Sequence, residues 1–269
     1  MFKRIVVALC DNEHCLPVIR QAIVVAGRER AQVLGLYVIH QEELLPPPDT
    51  VTREMWHAEV EPDLRAIGQS VLDVLTAECA KADVPVETRL LIGEPAKAAS
   101  RAGYTADLIV LGRYGEYARR GGVLGGHVLE GVLRQATRPV LIAANQARPI
   151  ERILVAYDGS AAGSVALSVT ARLATEWRAT VVMATVAEKR VGQGALTEGT
   201  AYLQPYGLPE KTLLLEGTAG EELVRAAAEE SADLIVMGGY CHGRGREFIT
   251  GGTLGQVVRK SDLPVLVSC

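Results

Sequence analysis

The stretch from Ala106 to Ala143 reads ADLIVLGRYGEYARRGGVLGGHVLEGVLRQATRPVLIA, and its pattern returns from Ala232 to Cys269 as ADLIVMGGYCHGRGREFITGGTLGQVVRKSDLPVLVSC. In both, a short apolar run precedes a loop rich in glycine and arginine, a segment with helical spacing and a Pro-Val-Leu run. A glycine-rich loop between a buried strand and a helix can gather backbone amides around a phosphate. The duplication predicts two related units, and the loop carries the functional hypothesis.

The duplication extends to the start of each unit. The runs RIVVAL (4–9) and RILVAY (152–157) are continuously apolar, as expected for strands covered on both faces of a parallel sheet. Helical spacing, a second strand, a third strand and a third helix follow each run, and Thr218 and Glu221 have the spacing of a capping box before the last of these helices. The pattern therefore predicts an α/β chain with crossover connections.

The two units differ in length between their second and third strands. The offset between matching residues falls there from 148 (Ile5 and Ile153) to 124 (Gly93 and Gly217). The first unit has three prolines at 46–48 and a long predicted helix over about 51–82, whereas the second has room only for a short helix near 195–206. We expect domains at residues 1–146 and 150–269, joined by a linker around Pro149.

Composition restricts the class of function. The chain is 48% apolar and 22% charged, with 4% aromatic residues and a net charge of −4. Few aromatic side chains and an acidic balance argue against nucleic acid or an anionic membrane as a partner, and no apolar run is long enough to span a bilayer. Five cysteines without a framework spacing predict free thiols in a reducing compartment, so we expect a cytoplasmic protein.

The glycine loops are the candidate binding elements. The first loop contains Gly112, Gly115 and the pairs 121–122 and 125–126, and the second contains Gly238, Gly251 and Gly252 followed by Thr253. Glycines and a following helix start offer unpaired amides to an anion, and the alternative is that they only make a tight turn. Five arginines of these loops are candidate phosphate ligands, with a solvated loop face as the alternative: Arg113, Arg119, Arg120, Arg244 and Arg246.

Each half resembles the universal stress protein family. The resemblance covers nearly the whole chain and rests on ILVAYDGS (153–160), the ADLIV(L/M)G strands, the G-x2-G-x9-G-(S/T) loop and the Pro-Val-Leu endings. It implies two doubly wound five-stranded parallel sheets with strand order 3-2-1-4-5, as in adenine nucleotide alpha hydrolases, packed as a pseudo-dimer through their final strands. It also implies ATP, ADP or AMP, with Mg²⁺ as the accompanying ion, at the carboxyl ends of strands one and four.

In the second repeat, the resemblance assigns Asp158 and Val186 to the adenosine, and Gly238, Gly251 and Thr253 to the phosphates. This repeat departs from the motif in two places, since Cys241 replaces a glycine and Gly252 takes the position of the hydroxyl residue.

In the first repeat, the resemblance assigns Val38 to the adenosine, and Gly112 and Gly115 to the phosphates. Cys10 aligns with Asp158, and Asp11 comes one residue late. Counting forward from Gly115 gives Gly125 as the motif glycine, whereas counting back from Pro139 gives Gly126. We prefer Gly126, which puts His127 in the hydroxyl position, either as a phosphate ligand or as an exposed cap of the following helix.

The sequence gives less support to catalysis or metal binding than to nucleotide binding. The chain has no P-loop, nucleophile elbow, zincin or C-x-x-C motif, so we expect no enzyme beyond slow ATP hydrolysis. Cys10, His14 and Cys15, or Cys241 and His242, form no established metal pattern.

The function that we expect is a cytoplasmic regulatory protein that binds an adenine nucleotide in at least one half and acts on an unidentified protein partner. A further homodimer of chains stays open. The alternative is a nucleotide-free structural or interaction module.

Overall fold

The computed structural model describes residues 1–11, 15–45, 53–113, 127–187, 189–239 and 252–268. The chain forms two compact units, Phe2–Val132 and Leu133–Cys269, and Met1 belongs to the second. Their boundary falls inside the helix His127–Gln135, so the last turn of this helix lies in the second unit.

The first unit contains a parallel sheet. Its strands and helices are, in chain order, β1 (Arg4–Leu9), α1 (Cys15–Glu29), β2 (Gln32–His40), a 3-10 helix (Gln41–Leu44), α2 (Arg53–Lys81), β3 (Val86–Gly93), α3 (Pro95–Gly103), β4 (Leu108–Gly112) and the start of α4 (His127–Gln135). The strand order is β3-β2-β1-β4, and every pair is parallel. This order matches the first four positions of the predicted order 3-2-1-4-5.

The second unit repeats this plan. Its elements are β5 (Val140–Ala143), β6 (Arg152–Ala156), α5 (Ala161–Trp177), β7 (Thr180–Val186), α6 (Lys189–Leu203), a 3-10 helix (Gln204–Tyr206), β8 (Lys211–Leu215), α7 (Ala219–Glu229), β9 (Leu234–Gly238), α8 (Thr253–Lys260) and β10 (Val265–Ser268). The order β8-β7-β6-β9-β10 confirms the predicted 3-2-1-4-5 topology for this repeat. Strand β5, from the first repeat, pairs antiparallel with β10, so the final strands of the two repeats are neighbours as predicted.

The core of each unit is aliphatic. Strands β1 and β6 contribute fully buried Ile, Leu and Val side chains, and β4 and β9 are buried along most of their length. The edge strands β3 and β8 are more exposed. Continuous burial of the central strands explains why their sequences do not alternate, because helices cover both faces of a doubly wound sheet.

The aspartate of each ADLIV motif has a structural role. Asp107 Oδ2 accepts hydrogen bonds from the backbone N–H groups of Lys3 (2.7 Å) and Arg4 (3.0 Å). Asp233 Oδ2 accepts the matching bonds from Glu151 (2.9 Å) and Arg152 (3.0 Å). Each carboxylate therefore satisfies backbone donors at the beginning of the neighbouring central strand, which explains why both repeats carry it.

Some local predictions need correction. The long helix predicted over about 51–82 is present as α2, from Arg53 through Pro62 to Lys81, whereas α6 begins at Lys189, earlier than the predicted start near 195. Thr218 is the N-cap residue of α7, but its side chain makes no capping hydrogen bond. The prediction of a capping box is therefore wrong, and the Glu221 carboxylate accepts a hydrogen bond from Lys260 Nζ at 2.6 Å. None of the described helices combines the length and apolarity needed to cross a membrane.

Candidate functional site

The second unit contains a cavity of about 430 Å³ at the carboxyl ends of β6, β7 and β9. Strand order reverses between β6 and β9, and such switch points are where open α/β sheets bind ligands. Five residues assigned to the second repeat line it together with apolar side chains: Asp158, Val186, Gly238, Gly252 and Thr253. Gly251 lies outside the described residues. The structure thus brings together residues separated by almost a hundred positions in the sequence.

Asp158 stands at the exposed rim of this cavity, in a turn fixed by local hydrogen bonds. Its Oδ1 accepts a hydrogen bond from the N–H of Ser160 at 3.0 Å, and Gly159 has φ +80°. Ser160 Oγ accepts one from the N–H of Gly163 at 3.0 Å and so caps α5. Among the described residues, Asp158 Oδ2 has no hydrogen-bond partner, so one carboxylate oxygen remains for a ligand hydroxyl.

Gly238 and Gly239 form part of the cavity wall, and packing alone requires both to be glycine. A Cβ on Gly238 would lie 2.5 Å from the backbone carbon of Ala162, at the start of α5. A Cβ on Gly239 would lie 2.2 Å from Cγ1 of Val267. Close approach of α5 to β9 therefore accounts for Gly238 without a phosphate, and this reason is packing and not the tight turn of the alternative interpretation.

The first turn of α8 supplies backbone donors to the same cavity. Gly252 is its N-cap residue, and no side chain makes a capping hydrogen bond there. The first N–H groups of a helix have no intrahelical acceptor, and the helix dipole favours an anion beside them. Because Gly252 and Thr253 line the cavity, this helix start can bind a negatively charged group.

Tyr157, the residue before Asp158, also lines the cavity. Its backbone carbonyl accepts a hydrogen bond from Thr185 Oγ1 at 2.8 Å, and the residue is 2% exposed. Burial raises the pKa of its phenol, which contacts Ser164 and Glu198. The phenol therefore stays protonated at neutral pH and supports the site as a neutral packing residue.

The first unit has a much smaller cavity at the equivalent position, with a volume of about 60 Å³. Leu36 lies opposite Ala8 in the sheet, where the second repeat has Ala184 opposite Ala156. The first residue of the third helix is Pro95 here and Ala219 in the second repeat. Larger side chains therefore fill the space that is open in the second repeat.

The mouth of the first cavity also has different chemistry. Cys10 takes the place of Asp158, and Val128 takes the place of Thr253. After β2, His40 Nδ1 accepts a hydrogen bond from the N–H of Glu42 at 3.3 Å and so caps the 3-10 helix. Val38 and Gly112 line this cavity as assigned, whereas exposed Asp11 does not.

Several assigned residues cannot be placed. Helix α4 begins at His127, whose side chain is not described. The remaining ones lie outside the described residues: Gly115, Arg119, Arg120, Gly125, Gly126, Cys241, His242, Arg244, Arg246 and His14. Arg113 is described, and it is only 5% exposed. The solvated-face interpretation is therefore wrong for Arg113, which is packed beside the end of β4.

The described cysteines, Cys10, Cys15 and Cys79, are free thiols, and burial lowers the reactivity of two of them. Burial raises the pKa of Cys15 to about 11, and it raises the pKa of Cys79 to about 11 as well. A thiol with such a pKa is almost entirely protonated at neutral pH, and the thiolate is the form that reacts or binds metal. Among the described residues, no group of three His, Cys, Asp or Glu side chains is arranged to hold a metal ion.

Sequence reasoning missed most of the lining of the larger cavity, and three of the missed residues bear on ligand binding. Ser160 and Gly239 line it, and so does Arg134, which comes from α4 in the first repeat. Ser160 was detectable as an N-cap residue three positions before Gly163. Arg134 was not, because its position depends on the pairing of β5 with β10.

Comparison with known proteins agrees with this fold. A universal stress protein of Synechocystis sp. is 34% identical over 164 residues, which are 60% of this chain and 57% of that protein. One of Methanocaldococcus jannaschii is 34% identical over 65 residues, 24% of this chain and 40% of that protein. The chain thus spans about half the length of these relatives.

Solved structures give the same result. A universal stress protein from Archaeoglobus fulgidus superposes with a TM-score of 0.79 at 21% identity, covering 98% of this chain and 95% of that one. A functionally unknown protein from Pseudomonas aeruginosa superposes with a TM-score of 0.67 at 17% identity, covering 99% and 92%. At these identities the likeness concerns the fold. The universal stress protein domain matches residues 1–144 and again residues 149–268, so the chain belongs to the universal stress protein family and contains its domain twice.

Proposed function

We propose that this tandem universal stress protein binds an adenine nucleotide in the cavity of its second repeat and works as a cytoplasmic regulatory module. The observation that carries the proposal is the 430 Å³ cavity in which Asp158, Val186 and the first turn of α8 meet. Small-molecule sites range over roughly 300–1,000 Å³ and combine apolar walls with a few polar groups. The first cavity, at about 60 Å³, falls far below that range.

Each wall of the cavity suits one part of a nucleotide. Apolar side chains beside the end of β7, including Ala184 and Val186, suit the flat base. The Asp158 carboxylate suits the hydroxyl groups of the ribose, which are hydrogen-bond donors. The N–H groups at the start of α8 suit phosphate, which is the usual ligand of a helix N-terminus.

We propose no catalytic residue. The described lining of the cavity contains one carboxylate, Asp158, and no histidine, so it offers no separate general base beside a ribose ligand. Mg²⁺ would enter with the phosphates, because a single carboxylate is a minimal protein contribution to its oxygen ligands. Any ATP hydrolysis should therefore be slow, and the nucleotide should act as a signal.

Thermal unfolding with ATP, ADP and AMP tests the proposal, since a ligand that binds the native state alone raises the melting temperature. We expect a shift for the wild type, a smaller one for Asp158→Ala, and an unchanged one for Asp11→Ala, the matched carboxylate of the first repeat. No shift with any nucleotide at millimolar concentration would favour the nucleotide-free interaction module. An effect of Asp11→Ala alone would move the site to the first repeat.

A further inference from the structure

The last turn of α4 contributes to the cavity of the second repeat, although α4 belongs to the first repeat by sequence. Leu133 and Arg134 both line this cavity. Leu133 is buried at 5% exposure, whereas Arg134 is exposed. Successive residues of a helix point about 100° apart, so Leu133 packs into the wall while Arg134 lies at the rim.

Arg134 changes the charge of the site. Among the described lining residues of the larger cavity, Asp158 and Arg134 carry charge, and Arg134 is the cation. The described lining of the first cavity has no arginine or lysine and includes the acidic Glu43. A phosphate group needs compensation for its negative charge when it leaves water, and backbone N–H groups supply only partial charges.

We propose that Arg134 of the first repeat binds the phosphate of the nucleotide held in the second repeat. This inference rests on the proposed function and adds a ligand that lies outside the second repeat. The guanidinium group is always charged and offers paired donors that match phosphate oxygens. Arg134 and the first turn of α8 line the same cavity, so a phosphate there would contact a side chain from one repeat and backbone amides from the other.

The chain contains a matched control for this residue. Arg134 lies five residues before Pro139 of the first Pro-Val-Leu run, and Arg259 lies five residues before Pro264 of the second. Both are exposed residues in the last turn of equivalent helices, α4 and α8. Arg259 does not belong to the described lining of either cavity. Substitution of Arg259 therefore removes the same charge from the chain without touching the proposed contact.

Calorimetric titration of the full chain with ADP and with adenosine tests the inference. Loss of a charge-assisted hydrogen bond at a partly exposed site should weaken ADP about tenfold in Arg134→Gln. Adenosine, which has no phosphate, should bind Arg134→Gln and wild type equally. Arg134→Lys should be intermediate, because it keeps the charge but loses the paired geometry. Arg259→Gln should bind ADP like the wild type, and Arg134→Gln should show a weaker salt dependence.

The outcomes separate this inference from the proposal beneath it. If the wild type binds neither ADP nor adenosine, both fail. If the wild type binds ADP and Arg134→Gln binds it equally well, the Arg134 contact is refuted and the nucleotide site stands. Equal weakening of ADP and adenosine also refutes the contact, because it would show a general disturbance of the cavity.

Discussion

The two cavities occupy the same place in two copies of one fold, yet one has a volume of about 430 Å³ and the other about 60 Å³. Ala184 and Ala219 leave space in the second repeat where Leu36 and Pro95 fill it in the first. The polar residues differ in the same way, since the second repeat has Asp158 and Thr253 at the positions where the first repeat has Cys10 and Val128. A duplicated α/β unit can therefore keep its architecture while one copy becomes a packed core and the other stays open.

The largest expected effect comes from emptying the filled cavity. Leu36 is 2% exposed, so Leu36→Ala should lower the free energy of unfolding by about 2–5 kcal/mol, the usual range for a buried leucine. Urea unfolding followed by circular dichroism measures this loss. The same substitution at Leu91, which is 43% exposed on β3, is the control and should cost well under half as much. Equal costs would mean that Leu36 is not part of a packed core.

A somewhat smaller effect should follow from crowding the open cavity. Gly238→Ala would place a Cβ 2.5 Å from the backbone of Ala162, and overpacking against a neighbour that cannot turn away costs about 1–3 kcal/mol. Gly194→Ala in α6 is the matched control, since a Cβ there meets nothing within 4 Å. It should stabilise the chain by about 0.5–1 kcal/mol, because alanine is the better helix former. Destabilisation by both substitutions to the same extent would exclude the close approach as the cause.

A modest pH effect should come from an ion pair at edge strand β8 of the second unit. Lys211 Nζ donates a hydrogen bond to Glu230 at 2.5 Å, and this bond, with Arg152 nearby, lowers the Glu230 pKa below its ordinary value of 4.5. A lowered carboxyl pKa stabilises the folded state fully above 4.5, and the contribution is lost as the pH falls through the lowered value. Lys211→Met should therefore move the acid unfolding transition to higher pH, whereas Lys97→Met, at an exposed site in α3, should not. An unchanged transition in Lys211→Met would show that the pair contributes nothing.

The smallest expected effect is that of restoring the carboxylate in the first repeat. Cys10→Asp recreates the residue type of Asp158, but the cavity beside it remains about 60 Å³. We expect no additional bound nucleotide, because the missing space rather than the missing carboxylate excludes the ligand. Equilibrium dialysis with radiolabelled ADP measures this. A gain of bound nucleotide by Cys10→Asp would show that the carboxylate was the limiting feature.

The architecture was predictable because the central strands of each repeat are continuous apolar runs. The same pattern occurs in both repeats, so each repeat supports the interpretation of the other. Asp158, Val186, Gly238 and Thr253 could be assigned only through the resemblance to the universal stress protein family, which places them at the ends of strands, just after a strand or at the start of a helix. The difference in volume was not predictable, because it depends on which side chains meet across neighbouring strands. The position of Arg134 in the cavity lining was not predictable for a similar reason, since only the pairing of β5 with β10 brings the end of α4 to the second cavity.

The number of nucleotides bound per chain tests the difference between the repeats most directly. Calorimetric titration of the wild type with ADP should give one site per chain, and Ala184→Leu, which puts the residue type of Leu36 into the open cavity, should abolish it. Two sites per chain, or one site that survives Ala184→Leu, would contradict the assignment of nucleotide binding to the second repeat.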